Sequence, residues 1–394
     1  MTNPNNFSGT DSERMEKAIC QAVQGDRILY IPERIKHFAG DRNYYLLDRA
    51  ILLPENFTVI IENCTIMLSD SCRDNFFRTA NCGYGITEVK EFSHIRILGR
   101  GNAVLCGAAH PRATGDANKK LMEKCYGTDG KIPTEKQTGD WRNIGILFAK
   151  VDSFEISNLL MKDYHCWAIS MEKCSNGKIA DITFDAVQNM NIDGENVRIL
   201  NQDGVDIRKG CHHIDIENIY GRTGDDCVAL TAYIPKSLSC GSLDYTEVSG
   251  MKMEELDMLH IHDISIRNIK AHSAGGHQII RLLNSGGLKL YNILIDGVYD
   301  TSAESNVTDM VTLRIGDQNP AWGGSTPSGD TSNIHINNIV SRSHYAILIP
   351  GTLTDSSIRN VTDYNWEHNI IECPSGENSL KNVEIVNCVK AAIQ

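Results

Sequence analysis

A short unit recurs along the chain and limits what it can fold into. It appears as Phe154-Glu155-Ile156-Ser157-Asn158, His213-Ile214-Asp215-Ile216-Glu217-Asn218, Asp263-Ile264-Ser265-Ile266-Arg267-Asn268, Asn333-Ile334-His335-Ile336-Asn337-Asn338 and Asn382-Val383-Glu384-Ile385-Val386-Asn387. Each copy reads apolar-x-apolar-x-Asn, the period-2 signature of a strand with one buried face, ended by a residue that tolerates a tight turn. The copies stand about 50 to 70 residues apart, about twice the 20 to 30 residues of one coil or somewhat more, as expected of stacked coils decorated by loops of unequal length. The helical spacing that a βα barrel needs between its strands is missing. An antiparallel sandwich is less consistent, because the same unit returns again and again and favours like stacking on like. The pattern therefore predicts an all-β parallel solenoid, in which 394 residues form a single domain that grows coil by coil.

One segment is predicted to be helical. Residues 11–24 place Met15, Ala18, Ile19, Ala22 and Val23 on one face, and Thr10 and Glu13 have the spacing of a capping box. An apolar helix at the chain start is a natural plug for the open end of a solenoid. Two stretches, 110–141 and 233–259, interrupt the strand rhythm. Loops of that length commonly wall a cleft or touch a neighbouring chain, which makes a homo-oligomer through these loops an expectation.

The 38 basic and 50 acidic residues give a net charge of −12, so the overall field repels phosphate backbones and anionic membranes. Neither nucleic acid nor membrane is an expected partner, and no segment approaches the roughly 20 apolar residues of a membrane span. The polar start of the chain does not read as a secretory signal. Thirteen cysteines without a C-x-x-C spacing read as reduced, buried, small apolar residues, which points to the cytoplasm. His212-His213 and His260-Ile261-His262-Asp263 look like metal-ligand spacing, but alternation along a strand puts only two side chains on one face, so no metal and no cofactor are expected.

The chemistry concentrates in two segments, Asn201-Gln202-Asp203-Gly204 and Gly224-Asp225-Asp226-Cys227. From Asp203 to Asp225 is about one coil, so Asp203 should lie beneath the Asp225-Asp226 pair, adjacent strands stacking roughly 4.8 Å apart. Adjacent residues of a flat strand point to opposite faces, so both acids of the pair can face one cleft only if the backbone turns there, and Gly224 offers that freedom.

These segments, in this order and at this interval, resemble the polygalacturonase family, glycoside hydrolase family 28, over residues 150–316. The family's N-x-D-G and G-D-D-C signatures match at 201–204 and 224–227, and its apolar-Asp-apolar strand at Val205-Asp206-Ile207. Gly276-His277-Gln278 corresponds to Gly-His-Gly with its last glycine replaced, and Arg314-Ile315-Gly316 to Arg-Ile-Lys without the lysine. The resemblance implies a right-handed parallel β-helix and an oligosaccharide substrate related to pectin, cleaved with inversion. It implies Asp225 as general acid, Asp203 and Asp226 orienting and deprotonating water, and Arg314 binding a sugar carboxylate. His277 is a candidate for tuning the acid, Asn201 for holding a sugar hydroxyl, and Arg281, Arg222, Arg208 or Lys209 for standing in for the missing lysine. A substrate short enough to be imported would favour exo-action. Two other readings are carried forward: a polysaccharide lyase on the same fold, using calcium and a basic residue, and a non-catalytic carbohydrate-binding β-helix.

Overall fold

The computed structural model describes residues 1–35, 42–70, 72, 74–83, 86, 88–110, 143–187, 189–192, 194–199, 201–233, 256–302 and 310–392. Apart from His110, Tyr233 and residues 256–259, the two long insertions lie outside them.

Two parallel sheets run the length of the molecule. One is built of long strands such as Val151–Lys162, His212–Thr223 and Ile261–Ser273, and the other of short ones such as Ile169–Glu172, Val205–Arg208, Val228–Ala232, Gln278–Asn284 and Val311–Ile315. The chain alternates between them, one coil after another, so like positions stack in register. Ile97, Ile156, Ile179, Ile216, Ile266, Ile295, Ile336, Ile358 and Ile385 form one continuous column. All but the last are fully buried, and each contributes about 1.5–3 kcal/mol of burial. Ile385 is the last of the stack among the described residues and is 46% exposed. Cys64, Cys174, Cys211 and Cys227 are buried thiols within this core.

The asparagine of the repeated unit does not end its strand. The long strands run through Asn158, Asn218, Asn268, Asn338 and Asn387, which sit in the left-handed region at φ 53–58°. A polar residue that tolerates this conformation bends the strand without breaking it. Its amide also links coils: Asn268 Nδ2 donates to Asn218 Oδ1 at 2.6 Å, and Asn218 Nδ2 donates to Asp181 Oδ1 at 2.8 Å. A second left-handed column opens the long strands, with Asn333 Nδ2 donating to Asn292 Oδ1 and Asn292 Nδ2 to Asp263 Oδ1.

The helix forms as expected, Asp11–Val23, with both bonds of the capping box. Met15, Ala18, Ile19 and Ala22 close the first coils. Asp11 and Arg14 are also buried, where Asp11 takes Arg14 at 2.7 Å and Arg34 at 3.1 Å. Among the described residues, no helix is long and apolar enough to cross a membrane.

Candidate active site

The short-strand sheet has one face in the core and one turned outward. Val205 and Ile207 are buried in the core, while Asp206 and Arg208 point the other way. The outward positions in register with Asp206 on successive coils are Ala229, Arg281 and Arg314. A column of backbone positions on one face thus carries an acid at one level and two guanidinium groups above it.

The acids of the two signature segments sit where the chain enters this sheet. Gly204 N–H donates to the Asp226 carbonyl, and Cys227 N–H to the Gln278 carbonyl. Asp203, Asp226 and Gln278 therefore stack level with one another, and Asp225 sits level with His277. The stacking predicted for Asp203 holds, with Asp226 rather than Asp225 as its direct counterpart.

Both acids of the pair line one cavity of about 400 Å³, together with Asp203, Asp206, His277 and Asn201. The backbone bends at 224–225, as the alternation argument requires. Gly224 serves there by its lack of volume, since its φ is not positive. A Cβ at Gly224 would come within 2.6 Å of the Gln202 amide oxygen, and one at Gly275 within 1.9 Å of the Gly224 carbonyl.

Each acid has a distinct environment. Asp225 Oδ1 lies 3.1 Å from His277 Nδ1 and accepts the Asp226 N–H. Burial pushes its pKa up to about 6, with the His277 charge opposing that rise and Asp226 adding to it. Asp226 Oδ1 accepts the Gln278 N–H at 3.0 Å, and its Oδ2 faces Arg281 at 3.5 Å. Burial, reinforced by Asp225, Asp206 and Asp226, holds the Asp203 carboxyl well above the usual carboxylate range. Asp206 is raised in the same way, by burial and then by Asp226. One oxygen of Asp203 and one of Asp206 are buried without a protein hydrogen bond, and so are available to a water or a sugar hydroxyl.

Asp206 is the acid that the sequence reading left as part of a strand. Its signal was present, because a charged residue between two core residues of a strand must face outward, here directly into the cavity.

The two predicted sugar-binding arginines line the cavity but are already engaged. Asp317 Oδ2 accepts from Arg314 Nη2 at 3.0 Å and from Arg281 Nη2 at 3.3 Å. Arg281 also lies over the Trp322 ring, 5.0 Å from its centroid. Trp322 and Trp167 supply flat apolar walls, and Trp167 covers Arg208 at 5.1 Å as well. Asp317, two residues from the strand end, was another residue that sequence reasoning missed; no spacing rule marks it.

Gly316 shows why the family's lysine is absent. Its φ is +78°, and a Cβ there would stand 2.5 Å from the Gly351 Cα. Two glycine backbones pack against each other at this corner, so no side chain fits without moving a coil.

Ligating atoms of Asp225, Asp226 and His277 lie within 4.8 Å of one another, close enough to share a cation. The same closeness suits a histidine that adjusts the proton affinity of a neighbouring acid.

Comparison with known proteins agrees with this arrangement. The model for glycosyl hydrolases family 28 matches residues 127–242, which include the two acid segments. No curated protein sequence matches the chain. Among solved structures, the polygalacturonase from Erwinia carotovora ssp. carotovora aligns at a TM-score of 0.50 and 14% identity, covering 100% of this chain and 94% of that one. The endo-xylogalacturonan hydrolase from Aspergillus tubingensis aligns at 0.51 and 13%, covering 99% and 92%. PfbA, a surface adhesin of Streptococcus pneumoniae, aligns at 0.53 and 13%, covering 94% and 81%. An adhesin matches the solenoid as well as two hydrolases do, so the coil architecture alone does not decide the chemistry. The contents of the cavity must.

Proposed function

We propose that this chain, a parallel β-helix similar in fold to polygalacturonases and matching glycosyl hydrolases family 28 over its acid-bearing coils, is an inverting glycosidase of pectin-derived oligosaccharides. The observation that carries the reading is the convergence of Asp203, Asp206, Asp225 and Asp226 with His277 on one sugar-sized cavity.

Cleavage needs a protonated carboxyl beside the leaving oxygen and an ionised one to activate water on the opposite face of the ring. Asp225 suits the first role, since burial lifts its pKa to about 6 and His277 stands beside it. Asp226, held by the Gln278 N–H and facing Arg281, suits the second, while Asp203, whose carboxyl is raised by burial and keeps an unengaged oxygen, suits orienting the water. Trp322 offers a ring face for sugar stacking. Asn201 lines the same cavity and is positioned for a sugar hydroxyl.

The glycone is proposed to be a uronide held weakly through its carboxylate, or its neutral neighbour in the same polymer. Arg314 remains beside Arg281, but Asp317 partly neutralises both and Gly316 adds no cation of its own. Exo-action is proposed from the expectation of a short substrate, and the product pattern decides it.

The test is a reducing-end assay of the wild type and Asp225→Asn on oligogalacturonides and neutral oligosaccharides. Turnover in the wild type and its loss in the variant support the reading, and equal turnover in both removes Asp225 as the acid. Products that absorb in the ultraviolet, formed only with calcium, would instead indicate β-elimination.

A further inference from the structure

Neighbouring side chains in a flat strand diverge, so His212 and His213 on one coil, and His262 and Asp263 on the next, should point to opposite faces. They do not. His213 and Asp263 are in the left-handed region at φ 54° and 55°, which turns each side chain back toward that of the residue before it. Stacking then places His212 level with His262. The two-ligand limit that strand alternation would impose is therefore lifted by backbone conformation.

We propose that His213, His262 and Asp263 form a binding site for a first-row divalent transition metal, one that ties these two coils together outside the carboxylate cavity. Asp263 Oδ2 lies 2.6 Å from His262 Nδ1 and 3.6 Å from His213 Nε2, and the ligating atoms of all three fall within 4.8 Å of one another. Two imidazole nitrogens and one carboxylate form a donor set for zinc, nickel or cobalt, with room for a water as the next ligand. Calcium and magnesium prefer all-oxygen sets.

Each ligand is also oriented by a partner that does not itself bind, as metal-ligating side chains commonly are. The Nδ1 atoms of His213 and His212 are 2.8 Å apart. A proton on His213 Nδ1 donated to His212 leaves the lone pair of His213 Nε2 facing Asp263. The His262 ring is stacked between His212, at 4.9 Å, and Tyr291, at 4.8 Å. Asp263 Oδ1 accepts the Asn292 amide at 3.1 Å. The two coils joined here are separated in sequence by the 233–259 insertion, so an ion at this corner would stitch together the coils that carry the catalytic candidates on either side of that break. None of the three ligands lines the cavity.

The experiment is calorimetric titration of the full chain, stripped with chelator, with zinc chloride at neutral pH. His213→Asn and Asp263→Asn are the primary variants, because asparagine tolerates the left-handed backbone at both positions; His262→Ala is the third. The expected result is saturable zinc binding in the wild type, weakened roughly 10-fold or more in each variant, undiminished by excess calcium and unchanged in His368→Ala. Absence of saturable zinc binding to the wild type would overturn the site, since the three side chains would then be only a hydrogen-bonded cluster. Binding retained in His213→Asn and Asp263→Asn but lost in His368→Ala would also overturn it, placing the ion at the separate group of His344, Glu367 and His368.

Discussion

His277 Nδ1 stands 3.1 Å from Asp225 Oδ1, brought there from the next coil by parallel stacking. That single contact gives the proposed acid a charge partner that opposes the upward push of burial. If Asp225 must be protonated to act, kcat/KM falls as pH rises through about 6. His277→Ala removes the opposing charge, so the alkaline limb of the pH profile moves to higher pH while the maximal rate drops. A limb that stays in place, or moves to lower pH, would separate His277 from the acid.

Asp225→Asn should lower kcat by roughly 10²- to 10⁴-fold, the usual range for a general acid, with little change in KM. Steady-state kinetics on an activated aryl glycoside beside a natural oligosaccharide refine the test. A good leaving group needs little protonation, so the loss should be smaller on the aryl substrate.

Asp203 and Asp206 make a stability prediction. Burial, followed by their acidic neighbours, raises both carboxyls in the folded state. A carboxyl raised on folding binds its proton more tightly in the folded chain, so stability is lost as pH rises through the raised value. Asp203→Asn should therefore abolish turnover yet stabilise the fold at pH 7 to 8 by about 1–3 kcal/mol, with the gain shrinking as pH falls toward the unfolded carboxyl pKa of about 4. Thermal melts across that range check both the sign and the trend. A variant less stable than wild type at every pH would mean that the acid is held by bonds worth more than its burial costs.

Asp317 is predicted to weaken acidic substrates. Its carboxylate occupies both Arg314 and Arg281, so Asp317→Ala should lower KM for oligogalacturonides by roughly 3–10-fold, about 1 kcal/mol of recovered charge pairing, and leave neutral oligosaccharides unchanged. A rise in KM for both classes would show that Asp317 holds the arginines in position instead.

The isoleucine column should behave as ordinary core. Ile216→Ala removes a fully buried side chain between Ile179 and Ile266 and is expected to cost about 2–5 kcal/mol in chemical denaturation. Ile385→Ala, at the half-exposed end of the same column, should cost distinctly less.

The solenoid and its capping helix were legible because they rest on local periodicity and on a capping box, both written in neighbouring residues. Between Phe154 and Asn387, three coils escaped the pattern. One carries Gly177, whose position is filled by the Phe154 ring of the coil beneath, another uses Gly297 for the left-handed turn after Asp296, and a third has Ser356 where the others have an apolar residue. Those substitutions explain three of the long intervals between recognisable repeats; the fourth, from Ile214 to Ile264, joins directly paired strands and is lengthened by the 233–259 insertion. The antiparallel hairpin formed by Asn189–Ile192 and Glu195–Arg198, just before Asn201, is joined in the sequence by Asp193-Gly194, a two-residue hairpin signal that a reading built on the longer strand repeat passes over. The acids were legible through their spacing of one coil. Asp317 and the convergence of His213, His262 and Asp263 were not, because both depend on backbone conformation at corners, where strand alternation is the wrong guide.

The most direct test of the proposed chemistry is the anomeric configuration of the first product, followed by proton NMR from the start of hydrolysis. Attack of water on the face opposite the departing sugar, between Asp225 and the Asp203–Asp226 pair, predicts that the newly released reducing end appears with inverted configuration before mutarotation. A first product that retains the configuration of the substrate would contradict the account.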